Sequence, residues 1–148
     1  MSVAGSFSRT PPRDLSADEA AEVRAEWVRV VRDLVRQIRA WVEAQPGWNV
    51  VSEHEKQVSE RPIGQYAAPV LTFRTPDARV VIDPVARNVG GKGAVELYVL
   101  PTLRRVKMLH DVAGGEWQIL TDSGISLRQP WNRDTFVQVV EDMIHVDL

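Results

Sequence analysis

ADEAAEVRAEWVRVVRDLVRQIRAWVEAQPG, residues 17–47, is the stretch on which the fold turns. At 100° per residue, Val23, Trp27, Val30, Val31, Leu34, Ile38 and Trp41 fall on one broad apolar arc. Arg29, Arg32, Arg36 and Arg39 form a stripe almost opposite, with Glu22, Glu26 and Asp33 beside it. Ser16 and Glu19 have the spacing of a capping box, and Asp18 and Glu19 suit the positive end of a helix dipole. No proline or glycine interrupts until Pro46-Gly47. The pattern predicts one helix from Ala17 to Glu43 or Ala44.

Such a helix reaches about 40 Å at 1.5 Å per residue. A compact domain of 148 residues is only about 38 Å across. The helix is therefore expected to span the domain, protrude from it or bend. A protruding apolar stripe would take a partner, so Trp27, Val31, Leu34, Ile38 and Trp41 are the candidate interface residues, with a place in the core as the competing role.

After Gly47 the period changes. Segments rich in Val, Ile, Leu, Thr, Tyr and Trp alternate with turn residues, as in consecutive antiparallel strands. Strands are expected at 48–58, 66–74, 79–86, 94–100, 103–110 and 116–121. Thr75-Pro76-Asp77-Ala78 is a turn by its chemistry, and Asn88-Val89-Gly90-Gly91-Lys92-Gly93 reads as a loop. Pro69 inside a strand pattern places that strand at an edge or a bulge. The connections are too short for parallel crossovers, so the sheet is a meander. Residues 122–130 read as a loop. Asn132 is a helix N-cap, and Phe136, Val139, Val140, Met143 and Ile144 set the apolar stripe of a closing helix at 133–146.

The expected class is therefore α+β: a long N-terminal helix, a six-stranded antiparallel meander and a short C-terminal helix, with both helices packed on one face of the sheet. Residues 1–14, interrupted by Pro11-Pro12, read as a flexible leader, and 15–148 as a single domain. No signal-peptide core or membrane-length apolar run is visible, so the expected location is the cytoplasm.

Composition closes several chemistries. Zero cysteine excludes disulfides, cysteine-ligated zinc, iron–sulfur clusters and a thiol nucleophile. The basic residues are 15 Arg and 3 Lys, a skew that suits either oxyanion recognition or the codon bias of a GC-rich, bacterial genome. With net charge -2 and pI about 5.9, and with acids spaced to pair along the arginine stripe, no nucleic-acid partner is expected. Gly90-Gly91-Lys92-Gly93 leads into a strand rather than a helix, so it is no phosphate loop. His54, His110 and His145 form no metal-ligand pair, and neither metal nor cofactor is expected. No Gly-x-Ser-x-Gly elbow is present.

Three functions remain. The favoured one is a non-catalytic protein–protein interaction module or dimerising subunit, its partner another protein or a second copy as a homodimer, with no membrane partner. The second is a small apolar-ligand binder with a pocket between sheet and helices, lined by Trp27, Trp41, Trp48, Trp117 and Trp131. The third is a hydrolase or nuclease using Asp83, Glu96 and a histidine, His54 or His110; it requires at least three of these four to converge in one cleft.

Overall fold

The computed structural model describes residues 15–61, 63–89, 92–101, 104–111, 117–120, 126–127 and 131–145. The expected leader 1–14, the tip of the Gly90-Gly91 loop and the 112–115 hairpin end lie outside them. Among the described residues, no helix is long and apolar enough to cross a membrane.

The chain runs α1 (Ala17–Ala44), β1 (Asn49–Glu60), β2 (Gly64–Arg74), β3 (Arg79–Val89), β4 (Lys92–Leu100), β5 (Arg104–Asp111), β6 (Trp117–Leu120), β7 (Ser126–Leu127) and α2 (Arg133–Ile144). The strands form one antiparallel sheet in sequence order. Six strands are those the pattern predicts. The seventh is a two-residue addition inside the expected 122–130 loop, pairing Leu127 with Ile119 and Ser126 with Leu120. A strand of two residues is too short for an alternating pattern to mark it.

α1 begins where its capping box dictates. The Ser16 hydroxyl accepts the Glu19 backbone N–H at 3.1 Å, and the Glu19 carboxylate accepts the Ser16 N–H at 2.9 Å. It ends before Pro46-Gly47. Gly47 takes φ +81°, and a Cβ there would stand 3.3 Å from Pro76 Cγ, so the exit from the helix packs on the β2–β3 turn. That turn is built by Thr75. Its hydroxyl accepts the N–H groups of Asp77 and Ala78 at 3.1 Å each, and its own N–H donates to Ala78 O at 2.8 Å.

The length of α1 finds its match in the sheet. Its 28 residues extend about 42 Å, and the 12 and 11 residues of β1 and β2 extend about 36–40 Å. Buried side chains run from Ala20 to Val42 along the helix. The helix spans the domain because one long hairpin lies beneath it.

Both helices face the same side of the sheet. Trp27, Val31, Leu34, Val35, Ile38 and Val42 of α1 share a single core with Phe136, Val140 and Met143 of α2 and with Leu71, Phe73, Val80, Ile82, Val95, Leu97, Val99, Val106 and Met108 of the strands. Two aromatic clusters pin the ends. At one end Trp48 stacks on Phe73 at 5.5 Å, and Phe136 meets Trp41 at 5.6 Å and Trp131 at 6.1 Å. At the other, Trp27, His110 and Trp117 meet at 4.9–6.5 Å.

Pro69 also obeys its chemistry. The β2–β3 ladder runs from Arg74–Arg79 to Leu71–Ile82 and records no pair beyond it. Pro69, without an N–H to donate, lies past that point, with Glu55 of β1 as its partner. The core-facing positions of β2 change parity across it, from Tyr66 and Ala68 to Leu71 and Phe73.

Gly93 departs from its expected place in a loop: it belongs to β4. The Trp27 indole lies directly on it, and a Cβ there would stand 2.4 Å from Cζ3 and 2.5 Å from Cη2 of that ring. Gly93→Ala is therefore expected to cost about 1–3 kcal/mol by overpacking. In a Trp27→Leu background the same substitution should cost less, and chemical denaturation of the four-member cycle measures the difference.

Candidate functional site

The carboxylates proposed for hydrolysis do meet. Asp83 of β3 and Glu96 of β4 are register partners. They alternate with the core residues Ile82, Val95 and Leu97, so they stand on the sheet face away from the helices. Each is neutralised there. Lys56 Nζ contacts Asp83 Oδ1 at 2.7 Å and donates to Pro84 O at 3.0 Å. Arg105 reaches Glu96 at 3.5 Å and lies 5.9 Å from the Tyr98 ring.

The histidines do not join them. His54 is exposed on β1. His110 packs on the helix side with Trp27 and Trp117. His145 caps α2, 3.1 Å from Glu141 and 3.8 Å from Asp77. Among the described residues no three His, Cys, Asp or Glu side chains are grouped to hold a metal. The arrangement is an ion-pair ladder on an outer face, with two of the four proposed catalytic groups together and two apart.

The five tryptophans lie on the helix side, but they pack against the core and one another. Among the described residues, concavities of 220–560 Å³ occur at the surface: between the arginines of α1 and β1, along the first residues of β1, and around Arg74 and Arg79. Beneath the N-terminal half of α1 lies a polar cluster that sequence spacing did not reveal. Tyr66 donates its hydroxyl to Glu60 Oε1 at 2.8 Å, and the Arg87 N–H donates to the same oxygen at 2.8 Å. The Trp27 indole N–H is buried and has no hydrogen-bond partner of good geometry.

The candidate interface residues are committed to the chain's own core. Trp27, Val31, Leu34 and Ile38 are 0–3% exposed, and Trp41 is half-buried against Trp131 and Phe136. The opposite stripe is shared with β1. Arg36 pairs with Asp33 at 2.9 Å, within the helix as its spacing suggests. Arg32 reaches across to Glu55 at 2.7 Å, and Arg39 holds both Glu53 across the gap at 2.7 Å and Glu43 within the helix at 3.4 Å. The Glu53 and Glu55 carboxylates share the helix-facing side of β1, as strand alternation around His54 requires. The Arg32 guanidinium holds Glu55 below the usual carboxylate range.

Two surface features emerge that the apolar patterns do not show. β1 is an edge strand, paired to β2 alone, and Val51 at its bulge is the large hydrophobic side chain exposed among the described residues, at 42%. Arg74 and Arg79 stand opposite one another across the β2–β3 turn, both exposed. No protein-family model, curated protein or solved structure matches this chain.

Tyr66 supplies a pH test. Burial raises its pKa above the ordinary value near 10, the Glu60 carboxylate adds to the rise, and the Trp27 N–H opposes it in part. The folded state thus holds the phenol neutral where the unfolded chain would ionise it. This contribution is complete below pH 10 and is lost as pH climbs from there toward the folded value. The stability of the wild type, read by denaturant unfolding, is expected to fall steeply above that pH, and Tyr66→Phe should remove that share of the slope.

Proposed function

We propose that this chain is a non-catalytic protein–protein association module of the bacterial cytoplasm. The observation that carries the reading is the open edge of the sheet. β1 offers 12 residues whose outward backbone groups meet no other described strand, and an extended segment of a partner can add there by main-chain hydrogen bonds. Glu53, His54, Glu55 and Lys56 in the middle of the strand discourage indiscriminate pairing. Val51, exposed at the bulge, gives a true partner an apolar contact at one end. The ion-paired state of Asp83 and Glu96 and the separation of the histidines support the non-catalytic part of the reading.

The test is capture of the partner by immobilised full chain, with hydrogen exchange read on the captured complex. The expected result is protection of the β1 amides, and loss of at least about tenfold in affinity for Val51→Lys, with its far-UV circular dichroism unchanged. A partner that binds Val51→Lys equally and leaves the β1 amides unprotected contradicts the reading, as does the absence of any binding protein.

A further inference from the structure

The sheet face away from both helices carries compensated charge along its middle. Lys56 meets Asp83, Arg105 meets Glu96, and Lys107 is the register partner of Glu96. At one end of that face the compensation stops. Arg74 and Arg79 alternate with the core residues Phe73 and Val80, so they stand on this outer face. They are direct cross-strand neighbours, which sets their Cβ atoms about 4.5–5.5 Å apart. Their partners on the far sides are Asn49 of β1 and Leu100 of β4, both uncharged. The row across the sheet thus reads Asn49, Arg74, Arg79, Leu100: two adjacent cations with no carboxylate in line.

The fold holds this pair in place. Arg74 ends β2 and Arg79 begins β3, and the Thr75 hydroxyl closes the turn between them. Like charges directly opposite one another destabilise an antiparallel pair. The two guanidinium groups are therefore kept side by side against their own repulsion, rooted on strands rather than on a loop.

Both line a hollow of about 400 Å³, within the range of small-molecule sites. Leu100, Ala78 and Pro101 give it an apolar wall, and Thr75 and Asp77 complete it. The Asp77 carboxylate lies 3.8 Å from His145 at the end of α2. The hollow thus carries two cations against one anion. The hollows between α1 and β1 and along the first residues of β1 share no lining residue with it. It is not a section of those grooves, and its isolation suits a small molecule rather than an extended chain.

We propose that the Arg74–Arg79 hollow binds the phosphate group of a small organic phosphate monoester. A phosphate monoester brings three acceptor oxygens and a charge of about −1.5 to −2 at pH 7, which two guanidinium forks match in both donors and charge. A carboxylate brings two oxygens and a single charge, and leaves one guanidinium uncompensated. The carbon part of the ligand lies on Leu100, Ala78 and Pro101. The site is on the sheet face rather than at the β1 edge, so it stands or falls independently of the association reading.

Calorimetric titration of the full chain with phenyl phosphate, inorganic phosphate and benzoate, in phosphate-free buffer, tests it. Phenyl phosphate is expected to bind saturably at one site. It should bind more tightly than inorganic phosphate, which lacks the apolar part, and more tightly than benzoate, which lacks the second charge. Arg74→Gln and Arg79→Gln should each weaken it by at least about tenfold. Their thermal unfolding without ligand should be no lower than that of the wild type, because the like-charge contact is relieved. Arg74→Lys and Arg79→Lys keep the charge but lose the fork, and should weaken binding too. Asp77→Asn should tighten it by removing the carboxylate from the hollow. No saturable binding of either phosphate overturns the proposal, as does phenyl phosphate binding that survives both glutamine substitutions unchanged. Benzoate binding as tightly as phenyl phosphate overturns the assignment of the group to phosphate.

Discussion

The burial of one helix stripe on one long hairpin is the constraint from which the rest of this molecule follows. Val31, Ile38 and Val42 of α1 have no exposed surface, and Leu34 and Val35 have almost none. Each such side chain contributes about 1.5–3 kcal/mol when fully removed from water. Their common support is β2, buried from Tyr66 to Phe73 apart from Ala67 and Thr72. A helix of this length needs a strand pair of equal length, and β1–β2 supplies it. The remaining strands and α2 extend the same core sideways, and Phe136 joins α2 to both α1 and β2 through Trp41 and Phe73.

The helix then fixes the chemistry around it. Setting the Trp27 ring against Gly93 leaves no room for a side chain at position 93. The same ring helps enclose Tyr66, whose hydroxyl must find Glu60 because water is excluded. On the other side of α1, Arg32 and Arg39 are carried over the edge strand and gather in Glu55 and Glu53. These pairs are partly exposed and worth little individually. Their consequence is orientation: two carboxylates of an otherwise open edge are already engaged from within.

Much of this was legible in residue order. Ser16, Glu19 and Pro46 mark the ends of α1 to within a residue, because caps and breakers act locally. Thr75-Pro76-Asp77-Ala78 marks its turn for the same reason. That turn also sets Arg74 opposite Arg79, so the basic pair was within reach of turn chemistry alone. Pro69 suggested an edge strand or a bulge; β2 instead lies between β1 and β3, and what stops short of Pro69 is the β2–β3 ladder. The rest was hidden because it depends on contacts between distant segments. Nothing near Gly93 announces the ring of Trp27, and nothing near Arg32 announces Glu55. Asp83 and Glu96 meet through a register that bulges in β3 help to set. Trp27, Val31, Leu34, Ile38 and Trp41 had two possible destinations, core or partner, which periodicity cannot separate; only the length of the hairpin beneath them decides.

The central claim is that this stripe is spent within the chain. Leu34→Ala tests it most directly, with denaturant unfolding and sedimentation measured on the same protein. The account predicts a loss of about 2–5 kcal/mol in stability, with the association state unchanged under native conditions. A variant that keeps wild-type stability but loses self-association would contradict it, because Leu34 would then be serving a partner rather than the sheet.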